Sequence, residues 1–158
     1  MGRNSKWIDV QPGDSAEQVA RRALRGRLER MWHYLERAAQ ESQAETENVH
    51  QLRVFARRAS ATLEIFSSWL PKRRGKWMRK QVTRVRRAAG DARDFDVLLM
   101  RWQQETHRLP AAQKEVLLAQ LKERRRAAQH PIEEVQEKLS RKDIKKSIQS
   151  WRPDYWRV

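Results

Sequence analysis

His50, Arg53 and Arg57 recur at i, i+3 and i+7 in Glu47-Asn48-Val49-His50-Gln51-Leu52-Arg53-Val54-Phe55-Ala56-Arg57-Arg58. On a helix, at about 100° per residue, the three fall within about 60° of one another. A row of this kind suits an extended oxyanion. Arginine offers a planar fork of N–H donors to phosphate oxygens, and histidine adds a ring donor that becomes cationic on protonation. Downstream, Lys76, Arg79, Lys80, Thr83, Arg84 and Arg87 continue the theme, and Lys76, Lys80, Thr83 and Arg87 would face the first row across an antiparallel helix pair. Between residues 49 and 90 Glu64 is the only acid, set against Arg53, Arg57, Arg58, Lys76, Arg79, Lys80, Arg84, Arg87 and further cations. A surface that is merely solvated intersperses both signs. This one reads as an anion site.

The elements that must position these residues are legible as amphipathic helices. Pro12-Gly13-Asp14-Ser15 is a helix start, with Ser15-x-x-Gln18 or Asp14-x-x-Glu17 as capping box. The first helix runs from about Ala16 to Gln40, with Val19/Ala20, Leu24, Leu28, Met31, Leu35 and Ala38/Ala39 inward. Thr46 is the expected cap of a second helix ending near Leu70, before Pro71, with Leu52, Phe55, Ala59, Leu63, Phe66 and Leu70 inward. Lys72 to about Thr106 reads as one long helix whose apolar stripe, Trp77, Gln81, Val85, Ala88, Ala92, Phe95, Leu99 and Trp102, keeps phase through Gly90. Pro110 opens a fourth helix with Val116, Leu117, Leu121 and Ala128 inward. His130-Pro131 marks a break or kink, after which Ile132, Val135, Leu139, Ile144 and Ile148 continue the pattern. Four long amphipathic helices with short connections predict an all-α, antiparallel four-helix bundle. The expected division is a flexible arm at 1–12, the bundle at 13–150 and an aromatic, basic tail at 151–158.

Composition narrows the partners. The chain has 158 residues, with 35 Lys and Arg against 20 Asp and Glu, for a net charge of +15. Polyphosphate, nucleic acid and anionic membrane surfaces are the partner classes this implies. No cysteine is present, which excludes disulfides and thiolate metal sites. No apolar run approaches a membrane span and residues 1–11 lack a signal-peptide core, so a cytoplasmic location is expected. A phosphate-cradling glycine loop, a His-Glu-x-x-His pair and a nucleophile in motif context are all missing, so no catalytic activity, metal or cofactor is expected. Asp94 and Asp96 lie roughly 200° apart on a helix and cannot share a ligand. They are expected to pair with neighbouring arginines and orient them.

Two segments carry a resemblance. Val49-His50-Gln51-Leu52-Arg53-Val54-x-x-Arg57-Arg58, followed by Gly90-x-Ala92-Arg93-Asp94-x-Asp96-Val97-Leu98-Leu99, resembles the CHAD family of conserved-histidine α-helical domains, over roughly residues 12 to 130. The resemblance implies a helical module that binds inorganic polyphosphate on a basic surface and associates with polyphosphate granules. It assigns ligand contacts to His50, Arg53, Arg57, Arg58 and Arg93, and places Asp94 and Asp96 beside them. Members of the family usually join two such four-helix halves, whereas this chain carries one His-x-Leu-Arg helix. A homodimer that rebuilds the two-bundle arrangement is therefore expected. The alternative function is a DNA- or RNA-binding helical protein, for which the net charge alone would serve.

Overall fold

Ser15 and Gln18 settle where the first helix begins. In the computed structural model, which describes residues 10–40, 46–105, 110–141, 144 and 146, the Ser15 N–H donates to Gln18 Oε1 at 2.8 Å. The Gln18 N–H donates back to Ser15 Oγ at 3.2 Å, closing a reciprocal capping box. Gly13 supplies the positive φ of 90° that turns the chain into this cap. Asp14 accepts from the Gln11 N–H at 2.6 Å and pairs with Arg22, and these two bonds hold its carboxyl below the usual range.

The described residues form five α-helices, α1 (Ala16–Gln40), α2 (Thr46–Ile65), α3 (Lys72–Glu105), α4 (Ala111–Ala127) and α5 (His130–Arg141), with a 3-10 turn at Ser67–Trp69. No strand occurs among the described residues. The all-α antiparallel bundle expected from the apolar periodicity is present, but its fourth side differs from the expectation. α1 packs on α2, α2 on α3, and α5 closes the ring against both α1 and α3, so α2 and α5 lie diagonally opposite. α4 packs mainly along α3. Val116 and Leu117, expected to face the core, are 58% and 39% exposed. The reason is positional: at about 1.5 Å per residue α3 is roughly 50 Å long, and its last turns and α4 extend past the ends of α1 and α2. The break also falls earlier than His130-Pro131. Ala128 ends α4, and Pro131 sits in the first turn of α5, where its missing N–H costs nothing.

The core is the apolar stripe of each helix. Leu24, Leu28, Met31 and Leu35 of α1 meet Leu52, Phe55, Ala59 and Leu63 of α2, and Met78, Val82, Val85, Ala89 and Ala92 of α3. Ile132, Leu139 and Ile144 complete it from the fourth side. The buried stripe of α3 is rotated by roughly 50° from the one its sequence suggests. Met78, Val82 and Ala89 are buried, while Trp77, Phe95 and Trp102 are half-buried. α2 stops at Ile65 instead of Leu70, and a 3-10 turn follows at Ser67–Trp69; Leu70, which precedes Pro71, is extended, with φ −87° and ψ 141°. α3 runs through Gly90 unbroken. Trp7, Trp151, Trp156, His107, Ile148 and most of the expected arm and tail lie outside the described residues.

Candidate anion-binding face

Arg53 shows the register of α2 against α3. Its Nη1 lies 3.3 Å from Asp94 Oδ1 and 3.5 Å from the Gly90 carbonyl. A Cβ on residue 90 would sit 3.8 Å from the same guanidinium, an ordinary contact, so the arginine does not require glycine there. With the helices antiparallel and Arg53 opposite Gly90 and Asp94, helical spacing sets Arg57 opposite Arg86. His50 falls toward Arg93, Asp94 and Val97, and Arg79 and Thr83 continue the strip. Arg53, Arg57, Arg79 and Arg86 are exposed, and His50, Thr83 and Arg93 half-buried. Among the described residues no carboxylate lies within ion-pair distance of Arg57, Arg79 or Arg86. Asp94 thus braces one arginine at the edge of a strip that is otherwise positive.

The remaining sequence-predicted residues are not all brought to this strip. Arg84 and Arg87 line an open pocket of about 600 Å³ together with Asp91 on α3 and Pro131, Glu134, Val135 and Lys138 on α5. They face α5 and not α2, a correction that follows from the rotation of α3. Lys76 and Lys80 are not among the residues that line that pocket; on the helix they lie within about 60° of both Thr83 and Arg87, between the two stripes. Arg58 turns the other way, toward α1, where its guanidinium lies 5.4 Å from the centre of the Phe55 ring. Arg86, central to the α2–α3 strip, was not among the expected site residues. Its signal was its place one turn from Thr83 and two turns from Arg79.

Asp96 does something that spacing could not show. Its side chain is 2% exposed, and Oδ1 accepts from Arg125 Nε of α4 at 2.5 Å. Arg125 Nη1 donates to Gln129 Oε1 at 3.2 Å, and Gln129 Nε2 donates to the Ala38 carbonyl at 2.6 Å. One buried relay therefore joins α3, α4, the α4–α5 junction and the last turn of α1. Asp96 Oδ2 has no hydrogen-bond partner among the described residues. Burial pushes the Asp96 carboxyl up, outweighing the Arg125 hydrogen bond and the charges of Arg125 and Arg93, which pull it down. Asp94 and Asp96, two residues apart, thus serve different ends: one braces a surface arginine, the other locks helices together.

The described residues contain no cluster of three or more histidine or carboxylate side chains able to hold a metal ion. None of their helices is long and apolar enough to cross a membrane. The arrangement can bind an oxyanion by charge and hydrogen bonding. A family model, the CHAD domain, matches residues 6–157, nearly the whole chain. No curated protein and no solved structure matches it.

Proposed function

The chain belongs to the CHAD domain family, whose members are binding modules associated with polyphosphate, and from that premise we propose that it binds inorganic polyphosphate along the α2–α3 strip. The observation that carries the reading is the one-sided row of Arg57, Arg79 and Arg86 beside the braced Arg53. A condensed phosphate presents charged oxygens at short, regular intervals, and an antiparallel helix pair presents donors at a comparable repeat on both banks. Each charge-assisted hydrogen bond contributes about 1.5–3 kcal/mol, offset by about 0.5–1.5 kcal/mol for each long side chain that is immobilised. Several contacts are needed, so affinity should rise with chain length. His50 and Arg93 extend the strip at one end, and Lys76, Lys80, Arg84 and Arg87 add field from beside it.

Single-stranded DNA is the control, because both polymers give steep salt dependence and salt alone separates nothing. At equal phosphate concentration and near-physiological salt, DNA should displace bound polyphosphate poorly. Equal displacement would reduce the strip to a general polyanion surface and favour nucleic acid. The same binding would place the chain on polyphosphate granules. Pairing of two chains belongs to this reading too, supported by the two-bundle habit of the family and by the exposed Leu98, Met100, Val116 and Leu117 on the α3–α4 extension. Light scattering should then give twice the 18.9 kDa chain mass; a monomer at all concentrations would remove that part.

A further inference from the structure

Arg84, Arg87 and Asp91 form one stripe of α3, at i, i+3 and i+7, and share a groove with Glu134 and Lys138 of α5. The groove encloses about 600 Å³, the size of a small-molecule site. Its floor is apolar. Ala88 is buried, Val135 packs against the core, and Pro131 joins them in the lining.

The charges on the two walls are disposed differently. Glu134 is matched on its own helix: Lys138 Nζ donates to Oε2 at 3.0 Å, and His130 Nδ1 lies 3.8 Å from Oε1. The bond from Lys138 is the first cause that holds this carboxyl below its usual range. Arg84 and Arg87 have no carboxylate within ion-pair distance among the described residues. Asp91 lies one turn beyond Arg87, where opposite charges on a helix can meet, yet the two do not pair. Arg84 is held from beneath. Its Nη1 donates at 3.1 Å to Oε1 of Gln81, which is 1% exposed, and Gln81 Nε2 donates to the Trp77 carbonyl at 3.4 Å. The other donors of the Arg84 fork stay open to the groove.

These features select a ligand class. Two guanidinium forks three residues apart suit one phosphate. The apolar floor suits a flat ring. Asp91, about 10 Å along α3 from Arg84, repels any further phosphate and accepts from a hydroxyl or amino group. A condensed phosphate would leave the floor uncovered and set its own charge against Asp91. A nucleoside monophosphate supplies one phosphate, one flat ring and donors beyond it.

We propose that the α3–α5 groove binds a nucleoside monophosphate, with its phosphate on Arg84 and Arg87, its base over Ala88 and Val135, and its donors turned to Asp91. The site lies about a third of the way around α3 from the α2–α3 strip, and it does not rest on the polyphosphate reading.

The test is isothermal titration of the full chain with AMP, GMP, CMP and UMP, with ribose 5-phosphate and orthophosphate as truncated probes. At least one nucleotide should bind at one site per chain, about tenfold or more tighter than ribose 5-phosphate, because only the base covers the floor. Arg87→Gln should weaken that binding by about tenfold or more; Arg87 is exposed, so the fold should survive. Asp91→Asn should narrow the gap between nucleotide and orthophosphate, since the charge that disfavours bare phosphate is gone. Arg53→Ala/Arg57→Ala should bind nucleotide as wild type does, whatever becomes of its polyphosphate binding. In wild type the base should shift the methyl resonances of Ala88 and Val135 through its ring current, and ribose 5-phosphate should not. Failure of all four nucleotides to bind, or binding no tighter than ribose 5-phosphate, overturns the proposal. So does a nucleotide that leaves those methyls unmoved and is lost with Arg53 and Arg57 instead of Arg87, because the α2–α3 strip would then be holding it.

Discussion

Replacing Arg125 by leucine should lower the stability of the fold by about 3–5 kcal/mol at neutral pH, because it strands a buried carboxylate. A domain of this size holds only about 5–15 kcal/mol in all. Asp96 is 2% exposed, its Oδ2 has no hydrogen-bond partner among the described residues, and Arg125 is the donor that holds Oδ1. The loss should depend on pH in a defined sense. Burial already raises the Asp96 carboxyl above its ordinary 3.8, against the pull of Arg125. Without that pull the folded-state value climbs further. Between 3.8 and the raised value the folded chain then binds more protons than the unfolded one, so stability falls as pH rises through that window. Urea titrations should therefore show a smaller penalty for Arg125→Leu near pH 4.5 than near pH 7. Asp96→Leu/Arg125→Leu should regain most of the loss, since apolar groups of similar volume replace a buried pair at little cost. A penalty below about 1 kcal/mol at pH 7, or one that ignores pH, would mean water reaches Asp96.

Arg53→Ala/Arg57→Ala should weaken polyphosphate binding by about a hundredfold or more, since two charge-assisted bonds of about 1.5–3 kcal/mol each are removed. The fold should hardly notice. The Arg53–Asp94 pair is exposed on both sides, 46% and 68%, and pairs of that kind contribute about 0–1 kcal/mol. Circular dichroism and the thermal midpoint should match wild type, and a fluorescently tagged variant should leave polyphosphate granules. A folded double variant that binds as tightly as wild type would remove the α2–α3 strip from the site. Arg58→Ala is the informative companion. It sits next to Arg57 in sequence but packs against the Phe55 ring instead, so its loss should leave binding on the α2–α3 strip largely intact.

The bundle was legible because apolar residues at helical spacing in α1 and α2 leave one choice of inner face. The α1 core of Leu24, Leu28, Met31 and Leu35 is the one its periodicity marks. α3 was less legible, since its apolar band is wide enough to accommodate a rotation. Whether Trp77 or Met78 points inward depends on what α5 offers, and that depends on the break at Ala128. Val116 and Leu117 have the pattern of core residues, but helix length placed them beyond the core. The anion site was legible as a concentration of charge but not as a geometry. Sequence shows that Arg57, Arg58, Arg84 and Arg87 are basic; only packing shows that they divide among three grooves. The Arg125–Asp96 pair, 29 positions apart on different helices, leaves no local signature at all.

The diagonal placement of α2 and α5 bears on how the chain assembles. α1 with α2, α2 with α3 and α3 with α4 are contacts between helices consecutive in the chain, and closing such short loops carries little entropy. The seam of α5 with α1 is different in kind: Gln129 reaches the Ala38 carbonyl across 91 positions. During synthesis the first three helices emerge and can pair while α5 is still unmade, leaving part of the apolar side of the core open to water. Ile132, Leu139 and Ile144 then act as the closing side of a core that is already laid out. The buried relay from Asp96 to Ala38 forms only at that moment, when its water is expelled, so α5, the last of the described helices, is also the one that seals the fold.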